Sequence, residues 1–245
     1  MSQTQPEIAV ILGVGASRGL GAALARRFGR EGLHTVLAGR SEDKLAAIQK
    51  EVTGAGGAAT VCQTDVTVPD QVDRLFKTAA GLGPISVVLY NAANNAIIPF
   101  QEITPQTFEE FWRLACFGGF LAGQAALPHM LPHAKGSILF TGASGSLRGK
   151  ANFAAFASAK AALRNMAQSM AREFGSQGIH VGHVIVDGVI DGDRVRGILA
   201  DYVEKLGEDG ALDPDAIAEA FWALHTQQRS AWTFELDVRP FKENW

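Results

Sequence analysis

Short apolar, β-branched runs alternate along this chain with longer stretches in which apolar residues return at helical spacing. The runs Ile8–Leu12, Thr35–Ala38, Thr60–Gln63, Ile85–Tyr90, Ser137–Thr141, His180–Val186 and Trp232–Val238 predict seven strands. Strands separated by helices build a parallel sheet covered on both faces. Helix starts are predicted at Ser41 before Glu42 and Asp43, at Thr104-Pro105 and at Asp213-Pro214, where a capping side chain precedes proline or acidic residues. The last of these helices carries Ile217, Phe221 and Leu224 on one face, which marks that face for the core. The expected fold class is α/β, a doubly wound parallel seven-stranded sheet with helices on both faces, in a single domain over residues 1–245.

The first predicted strand breaks into Gly13-Val14-Gly15-Ala16-Ser17-Arg18-Gly19-Leu20-Gly21 and then enters an Ala/Leu/Arg stretch with helical periodicity. A glycine-rich turn between a strand and a helix is a phosphate-binding arrangement. Gly15 is expected to take backbone angles closed to other residues, Gly19 to let the main chain approach a pyrophosphate, and Gly21 to let helix and strand pack closely. The helix beginning near Gly19 offers free N–H groups and a partial positive charge to an anion.

Composition narrows the class of partner. With 47% hydrophobic and 19% charged residues, a net charge of -3 and no basic stripe, the chain is not expected to bind nucleic acid. Residues Met1–Glu7 lack the basic and apolar regions of a signal peptide, and no apolar stretch reads as long enough to span a bilayer. The expectation is a cytoplasmic protein with no membrane partner. Two cysteines, Cys62 and Cys116, argue against a disulfide framework. His180 and His183 alternate across a strand, and Pro132 interrupts the turn between His129 and His133, so no metal site is expected.

After the second strand comes Gly39-Arg40-Ser41, where an NAD-preferring site would place a carboxylate against the ribose 2′-hydroxyl. Arg40 and Arg18 read instead as a cationic clamp on a 2′-phosphate, or as two solvated surface arginines. NADP is therefore the cofactor expected, with NAD as the alternative. Asp65 and Asn91 follow the third and fourth strands, at the carboxyl ends where ligands of such sheets collect. Asp65 could accept from an adenine amino group or cap its own turn.

The segments Val14–Gly21, Asp65-Val66, Asn91-Ala92-Ala93, Ser158–Leu163 and Asp187–Ile190 occur in an order and spacing that resembles the short-chain dehydrogenase/reductase family over nearly the whole chain. The resemblance implies a Rossmann-like fold and cofactor contacts from Gly15, Ser17, Arg18, Gly19, Leu20, Gly21, Arg40, Asp65, Val66, Asn91, Ala92, Lys160 and Val189. It also implies a homodimer or homotetramer built on the helices before and around Lys160. Members of the family transfer hydride between nicotinamide and an alcohol or carbonyl carbon. Their catalytic tyrosine, one helical turn before the lysine, falls at Phe156 in this chain. Their serine falls at Ala143 beside Ser144, and their asparagine at Ala115, or at Cys116 if shifted by one.

Of the polar groups the resemblance implies, Lys160 alone is present to hold the nicotinamide ribose. Phe153, Phe156, Leu163, Met166, Met170 and Phe174 recur at helical spacing and give Phe156 a plain core role. Ser144 and Tyr202 are the candidate replacement donors, with Ser146 nearby. Tyr202 lies in Asp193–Leu206, whose apolar stripe of Val195, Ile198, Leu199, Tyr202 and Leu206 reads either as a lid over the nicotinamide or as a packed surface helix. Two functions follow. One is an NAD(P)-dependent oxidoreductase of non-standard mechanism acting on a small, apolar carbonyl or alcohol; the other is a non-catalytic dinucleotide-binding protein used for sensing or assembly.

Overall fold

Every residue of β1 (Ile8–Leu12) is fully buried, and successive residues enter two different cores, Ala9 and Ile11 one, Ile8, Val10 and Leu12 the other. A strand covered on both sides needs no polar face, which is why it reads as an unbroken apolar run. In the computed structural model, which describes residues 5–243, six further strands join it. They are β2 (His34–Gly39), β3 (Ala58–Gln63), β4 (Ile85–Tyr90), β5 (Gly136–Thr141), β6 (Ile179–Val186) and β7 (Glu235–Val238). All pair in parallel in the order β3-β2-β1-β4-β5-β6-β7. The order reverses between β1 and β4, and the crevice at their carboxyl ends is where open α/β sheets bind ligands. Met1–Thr4, on which part of the expectation about a leader falls, lie outside the described residues.

Eight α-helices connect the strands among the described residues: α1 (Leu20–Arg30), α2 (Glu42–Gly54), α3 (Pro69–Leu82), α4 (Pro105–Trp112), α5 (Gly118–Met130), α6 (Ala154–Phe174), α7 (Asp193–Leu206) and α8 (Pro214–His225). One face of the sheet is covered by α1, α2 and α8 through Leu24, Phe28, Leu45, Ile48 and Phe221, the other by α3, α5 and α6 through Leu75, Phe76, Ala122 and Leu163. Each such leucine, isoleucine or phenylalanine contributes about 1.5–3 kcal/mol by leaving water. Ile217, Phe221 and Leu224 of α8 are 1%, 0% and 1% exposed, so the face marked in the sequence is the one buried.

Several boundaries differ from expectation. Trp232 stacks on His180 at 4.8 Å, and the Thr233 carbonyl is bonded to the His180 ring at 2.9 Å, so β7 starts at Glu235 and not at Trp232. Ser41 stands at the start of α2 without capping it, whereas Thr104 Oγ1 accepts from the Thr107 N–H at 3.1 Å and Asp213 Oδ1 from the Asp215 N–H at 2.9 Å. The helix from Pro105 to His133 is continuous, passing through a wide π turn at Arg113–Phe117, and is long and apolar enough to cross a membrane, with a mean hydropathy of 1.3 over its most apolar stretch. That corrects the reading that no segment is long enough; the π turn and Pro128 disguised its continuity. Half of that stretch is buried within the fold, with Leu121, Ala122, Ala126 and Met130 in the second core.

Candidate cofactor and catalytic site

The left-handed backbone expected at Gly15 belongs to Gly13, at φ +95°. A Cβ on Gly13 would lie 2.5 Å from the Ala92 nitrogen, so β4 sets this turn as tightly as β1 does. A Cβ on Gly15 meets nothing within 4 Å, which leaves its side of the turn open. Gly21 is as expected, because a Cβ there would come within 2.5 Å of the Gly13 carbonyl oxygen. At Gly19, an extended residue at the start of α1, a Cβ would lie 3.0 Å from the Ala16 carbonyl oxygen. No side chain caps α1 and no acid stands in its first turn, so its amides and the positive end of its dipole remain for an anion.

The neighbouring strand ends brace this turn. Asn91 donates its backbone N–H to the Leu12 carbonyl at 2.8 Å and its Nδ2 to the Gly13 carbonyl at 3.1 Å. Asp65 Oδ1 accepts from the N–H and hydroxyl of Thr67 at 2.9 and 2.7 Å, the turn-capping alternative of the two read in the sequence. Val66 and Leu20, at 4% and 5% exposure, pack into the two cores, and the Val189 carbonyl accepts from the Leu212 N–H. The Ser17 hydroxyl donates to Glu51, itself paired with Arg26 at 2.9 Å.

Arg18 does not join Arg40 in a clamp. Its guanidinium pairs with Asp191 at 2.8 Å, and its N–H donates to Asp193 Oδ2 at 3.0 Å. The carboxylate of Asp191 also holds Arg196 and is drawn below its usual range chiefly by that hydrogen bond, so it is the stronger local attractor. Arg40 is exposed, and its carbonyl accepts from Gln63 at 2.9 Å.

Lys160 is 3% exposed, and its Nζ donates to the Thr141 carbonyl at the end of β5, 2.6 Å away. Burial lowers its pKa to about 8. One turn earlier, Phe156 does not join the main core as the helical stripe suggested. It packs instead on a separate cluster of Phe111, Ala115, Ala155 and Ala159, while Met166, Met170 and Phe174 lie against the larger core. The positions where the resemblance expects tyrosine and asparagine therefore meet in one apolar patch. In the π turn that carries Ala115, the Leu114 carbonyl accepts from the buried hydroxyl of Tyr90.

Ser144 opens a 3₁₀ turn (Ser144–Ser146), and Gly145 in that turn lies against the Phe156 ring. Its neighbour Ser146 is the buried one, with Oγ accepting from the Ala143 N–H at 3.2 Å and lying 3.4 Å from His183 Nε2. His183 Nδ1 lies 3.1 Å from Glu235 Oε2, and Arg164 holds Glu235 with two bonds. This chain of side chains was missed in the sequence, where His183 was weighed only as a metal ligand. On α7, Ile198, Leu199 and Tyr202 are 73%, 46% and 48% exposed, whereas Val203 is buried and Val195 and Leu206 are half-buried, so the helix packs on one edge and leaves most of the apolar stripe open. Its start is tethered by Arg18 and by Arg194, whose Nη2 bonds to Asn94 and Asn95, and α7 kinks at Leu199.

Residues 9–203 match the family model for short chain dehydrogenases. The chain belongs to that family. A short-chain dehydrogenase from Rhodopseudomonas palustris is 37% identical with a TM-score of 0.82, covering 97% of this chain and 99% of its own. A metagenomic short-chain oxidoreductase crystallised in complex with NADP is 27% identical with a TM-score of 0.82, covering 98% and 99%. An uncharacterized oxidoreductase of Staphylococcus aureus is 29% identical over 98% of this chain and all of its own length. The chain spans 32% of the length of another uncharacterized oxidoreductase it matches, from Bacillus subtilis, at 30% identity over 91% of this chain.

Proposed function

We propose that this short-chain dehydrogenase family member is an oxidoreductase that uses a nicotinamide dinucleotide, NADP in preference to NAD, on a small apolar carbonyl or alcohol. The observation that carries the reading is Lys160, a buried ammonium held one turn from Phe156 at the end of β5, where packing alone would favour an apolar side chain. When bound, the dinucleotide supplies or accepts the hydride.

The chain's own residues do the rest. The turn residues Gly15, Ser17 and Arg18 border the pyrophosphate, the free amides of Gly19, Leu20 and Gly21 hold it at the α1 end, and Arg40 meets the 2′-phosphate. Asp65 and Val66 border the adenine, Asn91 and Ala92 fix the inner ribose region, Lys160 holds the nicotinamide ribose, and Val189 borders its ring. The apolar cluster around Phe156 and Ala115 selects an apolar substrate and excludes water from it. Ser144 and Tyr202 are the candidate donors at the rim, and positioning of cofactor and substrate accounts for most of the rate. Phe108, Trp112 and Phe120, 42%, 41% and 42% exposed on α4 and α5, support association into a homodimer or homotetramer.

Titration with NADPH and NADH, followed by a panel of aliphatic ketones and secondary alcohols, tests this. NADPH is expected to bind more tightly, and Arg40→Ala to weaken it about tenfold while leaving NADH unchanged, the size of one charge-assisted contact. Absence of any association with either coenzyme would end the proposal. A non-catalytic dinucleotide-binding role is the second reading, favoured by the apolar replacement at Phe156 and Ala115, and it predicts coenzyme binding without turnover.

A further inference from the structure

Arg18 belongs to the glycine turn, but its hydrogen bonds outside that turn reach one segment, residues 191–193 ahead of α7. Its Nη2 pairs with Asp191 Oδ2 at 2.8 Å, and its Nε donates to the Asp191 carbonyl at 3.2 Å. The main chain is engaged as well, because the Arg18 N–H donates to Asp193 Oδ2 at 3.0 Å and the Arg18 carbonyl accepts from the Asp193 N–H at 3.0 Å. Gly192 permits this approach, since a Cβ there would lie 2.5 Å from the Arg18 carbonyl oxygen. Asp191 is itself fixed, with its N–H on the Leu212 carbonyl at 2.8 Å.

The opposite side is fastened by Arg194, in the first turn of α7. Its Nη2 donates to Asn94 Oδ1 at 2.6 Å and to the Asn95 carbonyl at 3.0 Å, both in the loop after β4. Residues 191–194 therefore bridge the turn after β1 and the loop after β4, the two sides of the crevice at which the strand order reverses. Apolar packing does little to hold the start of α7. Val203, its buried residue, lies beyond the break in helical geometry at Leu199, where φ is -135° and ψ is 40°. The position of the first half of the helix thus depends on these polar fastenings.

We propose that Arg18 is a positioning residue for the substrate: with Arg194 it fastens residues 191–194 across the crevice, so that α7 presents its apolar stripe to the substrate, and reading of the 2′-phosphate is left to Arg40. This rests on the oxidoreductase reading. A 2′-phosphate would have to draw the Arg18 guanidinium from a carboxylate that already holds it, whereas Arg40 is exposed and has no carboxylate partner among the described residues. The pair of Arg18 and Asp191 is open to solvent on the arginine side, at 54% side-chain exposure, so its effect is modest in size.

The test uses the full chain and the variants Arg18→Met, Arg18→Lys, Asp191→Asn and Arg18→Met/Asp191→Asn, each first compared with the parent for thermal unfolding. Hydrogen–deuterium exchange needs no substrate. Arg18→Met and Asp191→Asn should each speed exchange of residues 193–200 about fivefold, the size of one exposed charge pair, with β1 and α8 at parental rates. The double variant should go little beyond either single one, because both remove the same contact. In Arg18→Met the affinities for NADPH and NADH should keep the parental ratio. The KM for a carbonyl substrate should rise about fivefold and by more than kcat falls, and Arg18→Lys, which keeps a cation beside Asp191, should recover most of the loss.

A selective loss of NADPH affinity in Arg18→Met, with exchange in α7 at the parental rate, would make the guanidinium a 2′-phosphate ligand and overturn the proposal. Parental exchange together with parental KM overturns it as well, since the pair is then an inert surface contact. A parent that binds NADPH but turns over no substrate overturns the oxidoreductase reading, and with it the substrate role of Arg18, even where the exchange result holds.

Discussion

Replacing Lys160 by methionine should stabilise this protein while disabling it. The ammonium lies at 3% exposure with the Thr141 carbonyl as its hydrogen-bond partner at 2.6 Å, and burial draws its pKa from an ordinary 10.5 to about 8. That difference corresponds to about 3 kcal/mol lost by keeping the charge in the folded state at neutral pH. Methionine fills nearly the same volume, removes the charge and forfeits one hydrogen bond of about 1 kcal/mol, which leaves a gain of about 2 kcal/mol. The folded pKa is the lower one, so between pH 8 and 10.5 the unfolded chain binds the extra proton. Wild-type stability therefore rises across that window relative to the variant, and the advantage of Lys160→Met shrinks as the pH approaches 10.5. Urea unfolding of both proteins at pH 7 and near pH 10, with NADPH titration at pH 7, measures all of this. Coenzyme affinity should fall at least tenfold. A variant less stable than wild type at pH 7, by an amount independent of pH, would refute the reasoning, because Lys160 would then be a well-compensated structural residue.

Two other outcomes follow from the geometry. Phe156→Tyr sets a hydroxyl on a ring that already borders the turn containing Gly145, one helical turn from Lys160, and should raise kcat for carbonyl reduction by about a hundredfold, the lower end for a positioned acid; steady-state kinetics that show no gain count against this crevice as the reaction site. His183 and His225 are both lowered from 6.5 to about 4, mainly by burial, so the unfolded chain takes up protons first, and stability should drop as pH falls from 6.5 towards 4, by on the order of 3 kcal/mol for each. Denaturant midpoints measured through that range check it, and a flat profile refutes it.

The strands, their order of appearance and the phosphate-binding turn were legible because each is a local pattern. A doubly covered strand must be apolar throughout, and a turn passing close under a neighbouring strand must be glycine. Gly21 was placed correctly for this reason, whereas the left-handed residue was assigned to Gly15. Its true position, Gly13, is set by the approach of Ala92 from another strand, which no local window contains. The same limit hid the partner of Arg18. The pattern Gly39-Arg40 suggested a joint clamp, but the carboxylate that draws Arg18 away stands at Asp191, across the crevice.

Local spacing along the chain determined the strands and the glycine turn between β1 and α1, since strand, turn and helix each follow from neighbouring residues. Tertiary packing alone decided that Ala115 and Phe156 share one apolar cluster, and that Ser146, His183 and Glu235 meet. The physical reason is that a parallel sheet aligns the carboxyl ends of strands remote in sequence. Chemistry assembled at those ends depends on register between strands, which a one-dimensional pattern does not carry.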